Sequence, residues 1–480
     1  MRVLVSALGL LLAIVSPGSA RGQLQVPHDV VVERVAKKWT GDLDAMVKRR
    51  MVRVLTPYSK THYFIDKGVQ RGLVYDSAMV FEKDLNKKYK TGNLAVHLVF
   101  IPTPRDKLLS GLIDGTGDIA AAGLTVTPER QQQVEFAAPT FQGVNEIVIT
   151  GPESPELKSL DDLAGREVFV RKSSSYWASL EELNARFESE GKKPIALEPA
   201  PESLEDEDIL EMTSAGLVKI AVVDDYLAKF WKQVFPPLVL HEDLAVRTGA
   251  DIAPAYRKNS PQLAAFFSQE KTKFGAGTSI RNQQVARYLK QTKFVKNSMS
   301  AADMKRFLSL IGVFRRYSDQ YSLDWLLMLA QGYQESRLDQ NAKSHVGAVG
   351  VMQVMPATGK ELAVGDIKQM EPNIHAGVKY IRFMIDEYYA DEPMTPLDKT
   401  LFAFASYNCG PGRVRQLRAE AKKLGLDENV WFGSVERVAG KRIGRETVTY
   451  VSNIFKYYVA YGLAVKELDA KNKAKEEVSK

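Results

Sequence analysis

Apolar and polar positions change rhythm along the chain. From Arg50 to about Tyr288, short β-like runs alternate with helical stretches. Val52-Arg53-Val54-Leu55 reads as a first strand, Tyr75 to Leu85 as a helix, and Leu94 to Ile101 as a second strand. Lys107 to Leu112 then reads as a helix, and Asp118-Ile119-Ala120-Ala121-Ala122 as a strand of small residues. Such alternation predicts α/β layers. From Ala301 onward the pattern is almost continuously helical. Leu323 to Tyr333 carries Leu326, Leu327, Leu329, Ala330 and Tyr333, which predicts a buried helix with Ser322 placed to cap it. Asn373 stands as the cap of a helix bearing Ile374, Val378, Ile381 and Ile385 at helical spacing. Pro396 opens another with Leu397, Leu401, Phe404 and Ala405 on its buried side, and Gly410-Pro411-Gly412 forbids its continuation.

The remaining segments are punctuation. Arg2, the apolar run Val3 to Val15, and Pro17-Gly18-Ser19-Ala20 form a secretory signal over 1–20. No later stretch approaches the ~18 consecutive apolar residues of a membrane span. Residues 21–48 are a polar lead-in with a short amphipathic helix at Leu43 to Val47, and polar residues between 290 and 300 mark a domain joint. From Lys466 the chain is charge-rich and predicts a frayed tail or loose helix. The division is 1–20 signal, 21–48 lead-in, 49–290 α/β domain, 300–465 helical domain and 466–480 tail.

Composition narrows the chemistry. The 480 residues contain one cysteine, Cys409, so no internal disulfide forms and no cysteine is placed for a lipoprotein anchor. The six histidines (His28, His62, His97, His241, His345, His375) make no pair at ligand spacing, so neither metal nor cofactor is expected. The formal charge of +7 suits an anionic partner, but Lys and Arg are scattered and an export signal disfavours nucleic acid.

One carboxyl stands out. Glu335 falls in the last turn of the apolar helix, where burial and the negative end of the helix dipole both disfavour ionisation. An acid that keeps its proton near neutral pH can donate it. Gly347 and Gly350 follow in a loop whose backbone can approach a ligand. Taken alone, a buried structural glutamate with glycines serving turns accounts for the same residues.

The motifs around Glu335 decide between the two. Glu335-Ser336, Gly350-Val351-Met352-Gln353, Ala405-Ser406-Tyr407-Asn408 and Glu446-Thr447 with Tyr450-Val451 occur in that order. Together they resemble the family 1 lytic transglycosylases of bacterial cell walls, with a goose-lysozyme-like helical fold. Val351, Ser406 and Cys409 depart from the usual Leu, Ala and Ala, and none of the three removes a polar group. The resemblance implies Glu335 as catalyst. It implies Ser336, Met352 and Gln353 lining sugar subsites, Tyr407 and Asn408 orienting the acetamido group, Tyr450 near Glu335, and Glu446 as a buried helper at the substrate. The matched motifs offer no second carboxylate, and Asp339 lies past the helix end as a loop-stabilising residue. The substrate's N-acetyl oxygen would then serve in its place. Glu335 would protonate the leaving oxygen and afterwards accept the 6-hydroxyl proton, giving a 1,6-anhydro sugar. A muramidase- or chitinase-type hydrolase of the same fold, or an inert wall- or solute-binding receptor, are the alternatives.

The α/β half carries a second resemblance. Gly123-Leu124-Thr125-Val126-Thr127-Pro128-Glu129-Arg130, Val134 to Pro139, Val168 to Ser175 and Ala221-Val222-Val223-Asp224-Asp225 are similar to the family 3 periplasmic solute-binding proteins. That implies an α/β two-lobed periplasmic solute-binding fold ahead of a mainly α lysozyme-like domain. Lobe two would be a nested insertion, entered near Glu146 and left near Leu240. Arg130 would clasp a ligand carboxylate, Thr125 add a hydroxyl, and Asp225 take an ammonium group. The implied ligand is an amino acid or muropeptide, and the implied substrate is peptidoglycan glycan strands. The implied setting is the periplasm, with peripheral association at the outer membrane left open.

Overall fold

The computed structural model describes residues 35, 37–66, 68–152, 154–292 and 301–478. The signal, most of the lead-in, and the joint at 293–300 lie outside them.

Two five-stranded sheets build the N-terminal half. In the first, Met51–Thr56 lies between His97–Pro102 and Ile119–Ala120, all parallel, and Ala255–Arg257 and Val134–Phe136 complete the sheet. Val52, Val54 and Leu55 are buried without alternation, as expected of a strand covered on both faces. The helices Leu73–Lys88 and Pro261–Phe274 cover one face through Phe81, Leu85, Leu263 and Phe266. Burial of Leu55, Val99, Ile101 and Leu108 on the other face is continuous with the apolar core of the C-terminal half. The second sheet runs Val239–Ile252, Phe141–Thr150, Ile220–Asp224, Glu167–Arg171, Ala196–Ala200. Its two longest strands are antiparallel and carry the chain between sheets, with Phe141 opposite Ile252 and Ile252 bridged to Thr125. Glu146 and Leu240 already lie inside the second sheet, so the crossovers sit nearer Phe141 and Ile252 than the sequence suggested.

The C-terminal half is helical. The helix that carries Glu335 is Trp325–Ser336, capped by Asp324, whose carboxylate accepts from the Leu326 amide at 2.8 Å. Ser322 is not that cap; it occupies a left-handed turn (φ 53°) before the helix. The helix Pro396–Cys409 opens under a Thr395 cap and stops at Gly410.

Asn373 also departs from expectation. It lies inside the helix Met370–Tyr388, fully buried, and bonds loop backbone instead of capping. Its amide donates to Val349 O (2.8 Å) and Ile367 O (3.0 Å), and its Oδ1 accepts from the Met352 amide (2.8 Å).

A terminal helix, Arg445–Val478, joins everything. Its 34 residues span about 50 Å at 1.5 Å per residue. It packs on the helix Trp325–Ser336 and on the strand His97–Pro102. Tyr461 donates to Gly68 O (2.7 Å) and Lys456 pairs with Glu82 (3.1 Å). The tail expected to fray instead docks on lobe two. Lys471 is buried against Asp208 (2.9 Å), Lys475 bonds Asp208 and Glu211, and Ala474 packs with Leu204, Ile209 and Met212.

Candidate active site

Glu335 lies in the last turn of its helix, which ends at Ser336 because Arg337 and Leu338 both turn left-handed (φ 57° and 63°), lifting the chain out. Leu326, Leu327, Leu329 and Ala330 bury the rest of the helix. Its carboxyl is largely buried with a single hydrogen bond, from the Tyr450 hydroxyl to Oε1 at 2.5 Å. Burial raises its pKa from the ordinary 4.5 to about 7, against which the Tyr450 hydrogen bond pulls weakly downward. No other charged group among the described residues acts on it appreciably. A half-protonated carboxyl at neutral pH can both give and take a proton.

Two tyrosines face this acid, Tyr450 buried and Tyr407 half-buried. Tyr450, from the terminal helix, also accepts from Gln331 Nε2 at 3.3 Å. Tyr407 donates to Met352 O at 2.6 Å, and the charge of Glu335 helps hold its hydroxyl protonated after burial. Gln331 is the residue that sequence reading passed over. It is a fully buried amide on an otherwise apolar helix face, and a polar residue at a core position is the signal that marks it.

The other expected site residues divide. Ser336 donates to Val351 O (2.8 Å), and Gln353, in a left-handed conformation (φ 46°), donates to Gly350 O (2.8 Å) and Ala342 O (3.2 Å). Both hydrogen-bond loop backbone beside Glu335. Gly350, at φ 78°, has no room for a side chain: a Cβ would meet the Asn373 amide at 2.4 Å. Asn408 accepts from the Thr447 hydroxyl at 2.7 Å. Met352 is a correction. Its side chain is wholly buried, packed against Gly332 and Gly377, so it fills core and lines no groove. Glu446 is another: it is exposed at the start of the terminal helix, not a buried helper. Asp339 does hold the loop, accepting from the Asn341 amide at 2.9 Å.

In the N-terminal half, Arg130 reaches across both lobes, donating to Thr125 O (2.9 Å) and Ser173 O (3.1 Å). The Thr125 hydroxyl meets Ser175 Oγ at 2.9 Å. Asp225 is not brought there. It opens a helix and pairs with the exposed Lys229 at 3.3 Å. Its neighbour Asp224 is the buried one, close enough to Arg130 to act on it, with its own pKa raised well above the usual range by burial and by Asp206 and Glu146. A one-residue ambiguity in Asp224-Asp225 hid this, since only one of two adjacent side chains can face the cleft. Arg105 of lobe one holds Glu205 of lobe two in a two-pronged pair (2.7 and 2.9 Å).

Residues 312–430 match the Transglycosylase SLT domain, and residues 52–288 match the Bacterial extracellular solute-binding proteins, family 3. The chain is 29% identical over 427 residues to membrane-bound lytic murein transglycosylase F of Desulfosudis oleivorans, covering 84% of this chain and 88% of that protein. The protein of that name from Ectopseudomonas mendocina is 27% identical over 429 residues, 85% of this chain and 83% of the other. Among solved structures, an ancestral arginine-binding protein bound to arginine aligns with 50% of this chain and 97% of its own (22% identity, TM-score 0.40). A Streptococcus pneumoniae amino acid ABC transporter substrate-binding protein aligns with 54% and 100% (18% identity, TM-score 0.42). Matched in both domains and in their order, the chain resembles the membrane-bound lytic murein transglycosylase F proteins along most of its length.

Proposed function

We propose that the helical domain cleaves the MurNAc–GlcNAc β-1,4 bond of peptidoglycan and leaves 1,6-anhydro-MurNAc ends. The supporting observation is a lone buried carboxyl with its pKa near 7 and no acidic neighbour acting on it. A hydrolase working by two carboxylates needs the second one ~5–10 Å away. Glu335 gives its proton to the glycosidic oxygen, the substrate's acetamido oxygen attacks the anomeric carbon, and Glu335 then takes the proton of the 6-hydroxyl as that oxygen displaces the acetamido group. Tyr450 returns a hydrogen bond to Glu335 whenever it is ionised. Mass spectrometry of released muropeptides tests this. Anhydro ends are one water lighter than hydrolysed ends and resist borohydride; only reducible ends would make the enzyme a hydrolase.

The N-terminal domain regulates this cleavage through a solute held between its lobes, an amino acid or a muropeptide. Support comes from the terminal helix, which carries Tyr450 at one end and Lys471 and Lys475 on lobe two at the other. A ligand that changes the lobe arrangement, and binds the two arrangements unequally, would bias that helix. Glycan cleavage with and without stem peptides, in the parent and in Arg130→Ala, checks it: the peptide effect should vanish in the variant while basal activity survives. The protein would act in the periplasm with peripheral membrane contact; among the described residues no helix is long and apolar enough to cross a membrane.

A further inference from the structure

A second cavity in the N-terminal domain lies beside the Arg130 cleft, with Gly123 in the shared wall. It encloses some 930 Å³ of empty space, counting its open mouth, and Val54, Phe81, Leu98, Phe267 and Ile252 make it largely apolar. Three charged side chains line it, and of these Arg281 is the buried one; Lys271 is exposed and Glu270 half-buried. Arg281, from the helix Ser279–Tyr288, is only 6% exposed. Its Nε donates to Thr140 O at 3.2 Å and its guanidinium lies 4.1 Å from the centre of the Phe141 ring. Among the described residues nothing hydrogen-bonds its two terminal nitrogens and no carboxylate pairs with it. Glu270, the one acid on the cavity wall, is held by Lys273 at 2.8 Å.

A buried cation without a counter-charge is costly, and ordinary surfaces avoid it. Burial depresses the pKa of Arg281 to about 10, with nearby Tyr226 pulling the other way. The wall holds two further polar atoms buried without a hydrogen-bond partner: the Tyr226 hydroxyl, its ring stacked 4.3 Å from Phe141, and Glu270 Oε2, which has only its ion pair to Lys273. His62, also in the wall, is kept neutral because burial pushes its pKa down to about 3. The cavity therefore offers a cation, a hydroxyl and apolar walls. It offers no free acid to receive an ammonium group.

We infer that this cavity binds a small amphiphilic carboxylate, an aromatic or branched aliphatic acid whose anionic head meets Arg281 and Tyr226 while its body fills the apolar space. Such a ligand completes two hydrogen bonds of the guanidinium fork and neutralises the buried charge. A zwitterionic amino acid is disfavoured here, because its ammonium would be buried unpaired. The inference rests on the reading of this domain as ligand-binding but not on regulation through Arg130, which does not line the cavity.

The probe is 3-phenylpropionate, titrated calorimetrically into the full chain beside its neutral amide and L-phenylalanine. The acid should bind at least about tenfold more tightly than either, and equally well in Arg130→Ala. Arg281→Gln should lose this binding about tenfold or more, with Arg281→Lys retaining part of it. Unliganded Arg281→Gln should melt no lower than the parent, because the substitution removes an uncompensated charge. Failure of the acid to bind the parent overturns the inference, as does equal binding of the amide or undiminished binding in Arg281→Gln. A fall in the melting temperature of unliganded Arg281→Gln would make Arg281 a structural residue and overturn it too. A stem-peptide effect on cleavage that persists through any of these failures leaves the regulatory reading standing on its own.

Discussion

The helix that carries Glu335 and the lobe-two helix Asp206–Ser214 treat buried charge differently. Glu335 is left alone with one tyrosine hydroxyl, so burial wins and its pKa climbs to about 7. Around the helix Asp206–Ser214 of lobe two, four consecutive acids are each answered. Glu205 takes Arg105, Asp206 takes Arg171, Glu207 accepts from the Lys60 amide (2.6 Å), and Asp208 takes Lys471 and Lys475. The cations win at Asp206 and Asp208, whose carboxyls are held below the usual range, while Glu207, bonded only by the Lys60 amide and the Ser59 hydroxyl, is pushed up to about 7 by burial. The difference separates a group kept reactive from groups kept as fasteners. Uncompensated burial costs stability and yields a proton donor, whereas compensated burial holds lobes and helix in one arrangement.

Glu335→Gln should break the comparison most deeply. Loss of the general acid should cost about 10²–10⁴-fold in glycan cleavage, and more if the same group also serves as base. The variant should nevertheless be the more stable protein at pH 8. Folding raises the pKa of Glu335, so the native state holds the extra proton between the ordinary 4.5 and about 7, and stability declines as pH rises through that window. The amide escapes the decline, a difference of up to about 3 kcal/mol at 1.36 kcal/mol per unit. Urea unfolding of parent and variant at pH 5 and pH 8 measures it.

On the other side, Lys471→Met should destabilise by about 3 kcal/mol, since Asp208 loses a buried partner and keeps only Lys475. Hydrogen exchange should then quicken in the last two turns of the terminal helix, while the helix near Tyr450 stays protected. Uniform exchange along the helix would mean that lobe two does not hold it.

The pH dependence sharpens the contrast next. Cleavage needs protonated Glu335, so kcat/KM should fall about tenfold per unit above pH ~7. Tyr450→Phe should have the smallest effect on rate but a diagnostic one. Its hydroxyl favours the ionised carboxyl, so removing it should move the alkaline limb to higher pH. An unmoved limb would show that another group sets the profile.

Local rules made much of this legible. Apolar runs and helical spacing marked the strand Met51–Thr56, the helix Leu73–Lys88 and the buried helix ending at Glu335, because each depends on neighbours within a few residues. Burial and helix-end position, both legible in sequence, already point to a raised pKa for Glu335. What required the tertiary structure were choices between residues of equal local merit. Ser322 and Asp324 are both good caps, and only the turn geometry selects Asp324. Asp224 and Asp225 differ by one position, and the direction of the strand end decides which is buried. Asn373 has the residue type of a cap but is buried against loop backbone 6 to 24 residues away in sequence, which its amide bonds. The charged tail read as solvated because its partners, Asp208 and Glu211, lie over 250 residues earlier. Periodicity and motif record what a residue's neighbours along the chain demand; partnership across the chain is set by packing, and only folding brings those groups within reach.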